Sequence, residues 1–87
     1  MPEALSDKTK HSVVIAGHAT SITLEPEFWA QLKRIAKLRA LSLAGLIAEI
    51  DEARLKAAQA NHSSAPRNLS AALRVYVLDF VLHAQSR

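Results

Sequence analysis

The stretch Ala19-Thr20-Ser21-Ile22-Thr23-Leu24 decides how this chain is read. Its second half alternates polar and apolar residues, the period of a strand with one wet face. Ile22 and Leu24 point inward on that reading, and Ala19, Ser21 and Thr23 point outward. Immediately after it, Glu25-Pro26-Glu27 marks a helix start. Proline suits a first helical turn, and the two carboxylates sit where the positive end of the helix dipole favours them.

The first helix is expected from about Pro26 to Leu38, with Phe28, Leu32, Ile35 and Ala36 on one face and Lys33, Arg34 and Lys37 on the other. Trp29 beside Phe28 reads as core packing. Ser42 is a natural N-cap for a second helix to about Ala60, striped by Leu43, Leu46, Ile47 and Ile50. Gly45 inside it weakens the helix by roughly 1 kcal/mol relative to alanine, which suggests a close helix crossing at a subunit interface. The run Asn61-His62-Ser63-Ser64-Ala65-Pro66-Arg67-Asn68 has turn chemistry. A third helix is expected from about Leu69 to Gln85, capped by Asn68 or Ser70. It is apolar on more than one side: Leu73, Val77, Phe80 and Ala84 form one stripe, while Val75, Leu78 and Leu82 lie elsewhere.

One strand followed only by helices has no sheet to join. Residues 12–16, Ser-Val-Val-Ile-Ala, could fold back as its partner. Gly17-His18, however, is a less typical two-residue turn than Asn-Gly. Antiparallel pairing of the strand with its twin across a two-fold axis is therefore expected, placing Ile22, Leu24, Leu46, Ile47 and Ile50 at a homodimer interface. The need is general: 87 residues make one small domain, and such a domain buries little surface alone. With no cysteine in the chain, neither a disulfide nor a thiolate metal site staples it. A hydrophobic share of 49% suits assembly, and the doubly apolar third helix points to a higher homo-oligomer. The expected organisation is a flexible tail over 1–10, a core over 11–60, a linker over 61–68, and a C-terminal helix over 69–87 that completes the domain.

The quoted strand and its surroundings resemble a bacterial family. Gly17-His18-Ala19-Thr20-Ser21-Ile22-Thr23-Leu24-Glu25-Pro26-Glu27-Phe28-Trp29 is similar to the GHxTSxxLExxFW pattern of a ribbon-helix-helix domain family. Ser42-Leu43, Leu46-Ile47, Ile50-Asp51 and Asn68 to Leu78 also match it. Ser21 to Leu24 with the helix after it is similar to CopG- and Arc-type repressors. The resemblance implies a mainly α fold and DNA binding by an intersubunit ribbon in the major groove. Carried over by position, Ala19, Ser21 and Thr23 face the bases, and the Ser42 hydroxyl with the Leu43 N–H holds a phosphate. Members commonly place Arg, Lys, Asn or Gln at the outward positions, where this chain has Ala, Ser and Thr.

Charge is permissive: eleven Lys and Arg against eight Asp and Glu give a net +3, which allows nucleic acid without requiring it. Lys8 and Lys10 could form an arm on backbone phosphate, and Arg39 with Lys33, Arg34 and Lys37 could flank a duplex. The other function classes find little support. With only Gly17 and Gly45 there is no phosphate-cradling glycine loop. His11, His18, His62 and His83 lack metal-ligand spacing. Glu49, Asp51 and Glu52 read as a helix surface beside Arg54 and Lys56. No catalytic residue, metal, cofactor or small-molecule substrate is therefore expected. The N-terminus carries Glu3, Asp7, Lys8 and Lys10 without an apolar stretch, so neither signal peptide nor anchor is expected there. Arg74, Asp79 and His83 interrupt the last apolar run, so no membrane span is expected and the expected location is the cytoplasm. The expected function is a DNA-binding transcriptional regulator; the alternative is an oligomeric interaction or scaffold protein of the same fold without sequence-specific DNA binding.

Overall fold

The computed structural model describes residues 7–60 and 68–85. Residues 1–6 of the expected tail and 61–67 of the expected linker lie outside them. The element order is β1 (Thr9–Ile15), β2 (His18–Leu24), α1 (Pro26–Leu38), α2 (Leu43–Gln59) and α3 (Leu69–Gln85). The three helices fall where sequence periodicity and caps put them. The strands do not: the chain forms its own antiparallel hairpin, where a lone strand was expected. Thr9 and Lys10, expected in the tail, open β1.

The turn explains the difference. Ala16 and Gly17 have φ of 52° and 81°, the left-handed pair that closes a two-residue hairpin with the right twist. The turn is Ala16-Gly17 rather than Gly17-His18. Glycine accepts this backbone freely, whereas alanine at Ala16 adopts it at a cost of about 1 kcal/mol. A second anchor holds the hairpin down. The His11 ring of β1 stacks on Trp29 of α1, with centroids 3.8 Å apart and planes within 7°.

The helices connect through well-satisfied ends. After α1 the chain turns left-handed at Ala40, φ 57°. The Leu41 N–H then donates to the Ala36 carbonyl at 2.8 Å and the Ala40 N–H to that of Lys37 at 3.1 Å, a Schellman closure with alanine where glycine is usual. Ser42 follows at once and caps α2, its Oγ accepting from the Gly45 N–H at 3.0 Å. That contact gives Gly45 a local reason: a Cβ there would meet Ser42 Oγ at 2.9 Å. Asn68 caps α3, its Oδ1 accepting from the Ala71 N–H at 2.8 Å.

One core joins β2 to all three helices. It consists of Ile22 and Leu24, Leu32, Ile35 and Ala36, Leu46, Ile47 and Ile50, and Ala72, Leu73 and Val77. Val13 and Ile15 of β1 pack against it. The five residues expected at a homodimer interface, Ile22, Leu24, Leu46, Ile47 and Ile50, are thus buried within a single chain. Among the described residues, the large apolar side chains left in water are Val14, Leu38, Leu55, Val75, Leu78 and Leu82.

Candidate nucleic-acid interface

The two faces of the hairpin differ sharply. Ile22 and Leu24 are buried beneath it, with His11, Val13, Ile15 and Thr20 half-buried beside them. On the outer face, Lys10 stands opposite Thr23, Ser12 opposite Ser21, and Val14 opposite Ala19. All six are exposed. The structure therefore brings Lys10, expected in an arm, into one surface with Ala19, Ser21 and Thr23. Ser12 and Val14 join that surface and were not singled out from the sequence. Their signal was present, since Lys10, Ser12 and Val14 alternate with His11, Val13 and Ile15.

Register also fixes which backbone groups remain available. A two-residue turn makes Ile15 and His18 a hydrogen-bonded pair. Along β2 the residues at every second position, His18, Thr20, Ile22 and Leu24, then aim their N–H and C=O at β1. Ala19, Ser21 and Thr23 aim theirs at the opposite edge. The Thr23 carbonyl agrees, for it accepts from Ser70 Oγ of α3 at 2.9 Å. The sheet has two strands, so among the described residues no strand of this chain pairs with that edge. Ala19 and Ser21 keep a free row of donors and acceptors, ready for an added strand.

Charged pairs frame the hairpin's end and the helix turn. Glu25, just after β2, accepts from Arg74 Nε of α3 at 2.9 Å. That hydrogen bond, with help from a backbone hydrogen bond and the charges of Arg74 and Lys8, holds its carboxyl below the usual range. At the far end of α1, Arg39 donates twice to Glu49 of α2, at 2.5 and 3.2 Å. Arg39 Nη1 also reaches the Tyr76 hydroxyl of α3 at 3.2 Å. These bonds raise the Arg39 pKa and lower that of Glu49. Arg39 is thereby engaged in joining three helices. Ser42 and Leu43 lie at the turn it braces, where the first N–H groups of α2 have no intrahelical partner.

Both carboxyls have depressed pKa values in the folded chain. Their contribution to stability is fully present above the ordinary carboxylate value of about 4.3 and is lost as pH falls through the depressed ones. Urea midpoints should therefore drop below about pH 4 for the wild type, and drop less for Glu25→Gln/Glu49→Gln. An equal drop in both would remove these pairs as the source of acid sensitivity. Exposure and screening keep the effect small.

Among the described residues no group of three or more His, Asp or Glu is placed to hold a metal ion, and no helix is long and apolar enough to cross a membrane. The surface hollows are shallow; one of about 300 Å³ lies between α2 and α3, lined by Ile50, Ala53, Ala57, Ala72, Val75 and Tyr76 among others. Nothing in it resembles a constellation for acid/base or nucleophilic chemistry.

Comparison with known proteins agrees with the geometry. No curated protein and no solved structure matches the chain. The ribbon-helix-helix domain model matches residues 8–81, from the residue before β1 through most of α3. The order of β2, α1 and α2 fits that description, and the chain belongs to the ribbon-helix-helix domain family.

Proposed function

We propose that the protein is a DNA-binding transcriptional regulator of the cytoplasm that presents the outer face of its hairpin to the major groove as a homodimer. Ribbon-helix-helix domains are usually DNA-binding regulators, and generally work as dimers. The observation that carries the reading is the single exposed surface of Lys10, Ser12, Ser21 and Thr23, set directly over the buried Ile22 and Leu24. A rigid core holds it, and hydroxyls on alternate residues are spaced to reach base edges.

The dimer forms by pairing β2 with its twin along the free edge at Ala19 and Ser21. Strands lie about 4.8 Å apart. Each β2 then runs about 2.4 Å from the two-fold axis and each β1 about 7 Å from it. The major groove is about 12 Å wide. The central β2 pair therefore lies within the groove while the β1 strands stand over its phosphate walls. Ser21 and Thr23 meet bases, and Lys10 meets phosphate. The Ser42 hydroxyl still has its proton to donate, and with the Leu43 N–H it would hold a further phosphate at the positive end of α2. Arg39 belongs to the helix junction rather than to the interface.

Retention of labelled duplex DNA tests this. Binding should fall at least about tenfold between about 50 and 200 mM salt, the share of the two Lys10 contacts alone, and Ser21→Ala/Thr23→Ala should flatten any preference among sequences. Absence of binding at every salt concentration sinks the proposal. A double variant indistinguishable from wild type restricts the hairpin to backbone contact. The second reading, an oligomeric scaffold without sequence-specific binding, rests on the lack of any Arg, Asn or Gln among Ala19, Ser21 and Thr23, and the same assay separates the two.

A further inference from the structure

The outer face of α3 is as apolar as its inner face. Leu73 and Val77 are buried against the core, yet Val75, Leu78 and Leu82 are 56%, 56% and 54% exposed. At 100° per residue these three lie within a narrow stripe on the side of the helix away from Leu73. With Ala71 they are spaced four, three and four residues apart, the period of a helix that meets another helix along a seam. The polar residues Arg74, Asp79 and His83 sit along the borders of that stripe and none at its centre.

We propose that this stripe docks the same stripe of a second copy, with the two α3 helices parallel and in register. Three observations select that occupant. The residues a dimer was expected to bury, Ile22, Leu24, Leu46, Ile47 and Ile50, are already inside one chain. They leave no apolar surface for a partner, whereas among the described residues α3 carries three of the six large apolar side chains left exposed. The seam spacing calls for a helical partner rather than a flat surface. The flanking charges are self-complementary: with Val75 and Leu82 at a and Leu78 at d, Arg74 takes g and Asp79 takes e. A parallel pair sets each Arg74 against the Asp79 of the other copy. Arg74 binds Glu25 through Nε, leaving its two terminal nitrogens for that contact. Asp79 Oδ1 lies 3.2 Å from His83 Nδ1, leaving Oδ2.

The seam is separate from the ribbon edge and does not depend on DNA binding. The seam has its own two-fold axis, so it adds a level of assembly to any pairing through the ribbon edge. Cutting the seam removes that level.

Light scattering coupled to gel filtration tests the inference on the full chain. The wild type should exceed the monomer mass at micromolar concentration, and Leu78→Glu/Leu82→Glu should halve the mass while circular dichroism keeps the helical signal. The chain has no cysteine, so a single Leu78→Cys offers a second, independent measurement. At a d position in parallel register it should oxidise to a covalent dimer, whereas Lys33→Cys on exposed α1 should not. A monomeric wild type, an unchanged mass in the double variant, or a Leu78→Cys chain that resists cross-linking overturns the proposal.

Discussion

Leu73→Ala is expected to cost about 2–5 kcal/mol of folding stability, a large part of what holds a domain of this size together. Leu73 is fully buried. It lies on α3, in one cluster with Ile22 and Leu24 of β2, Leu32 and Ile35 of α1, and Leu46 and Ile47 of α2. Truncation leaves a cavity that three helices and a strand line together, and such a site collapses poorly. The expected result is a single urea transition shifted to much lower midpoint, followed by circular dichroism. Two transitions, with α3 melting first and the rest unshifted, would mean that α3 is an appendage on an independent core. A loss under about 1 kcal/mol would contradict the packing itself.

The second large effect concerns Lys10 and follows from the in-chain hairpin. If β1 stands over the phosphate walls, each Lys10 neutralises one phosphate and a dimer neutralises two. Each contact contributes about 0.9 to the slope of log affinity against log salt. Lys10→Ala should lower that slope by about 1.8 and weaken binding at 0.1 M salt about sixtyfold, by the same amount on every DNA sequence. Ser21→Ala/Thr23→Ala should do the reverse, changing preference with little effect on slope. A Lys10→Ala protein with wild-type slope, in a chain that does bind DNA, would place β1 away from the groove walls and leave β2 as the sole contact.

The helices were legible because each end carries its own chemistry. Pro26, Ser42 and Asn68 begin them, and apolar spacing names the buried faces from Leu32 to Val77. β1 was only half legible. Its apolar part, Ser12 to Ile15, reads as a strand, but Thr9 and Lys10 read as polar tail. Its outer row is solvated, and His11 is half-covered by an aromatic partner 18 positions along the chain, Trp29. No local pattern announces that contact. The turn misled for a related reason. Gly17 is visible in the sequence, but the residue that shares its left-handed backbone is Ala16, to which propensity assigns no turn role. On the candidate interface, Ala19, Ser21 and Thr23 followed from alternation alone. Lys10 reached the same surface only once β1 was known to pair with β2, and the bonds of Arg39 to Glu49 and Tyr76 were hidden because those partners are distant in sequence.

The hairpin also alters when the ribbon can form. A strand that paired only with its twin would stay unstructured until two chains met, and its folding rate would depend on protein concentration. Here the first pairing closes over two residues, a unimolecular event on the microsecond scale typical of hairpins. Newly made chains can therefore protect one edge of β2 while still solitary and dilute. In the proposed dimer the edge at Ala19 and Ser21 is the one that takes the partner, so encounter between subunits would select a partner for a strand already formed.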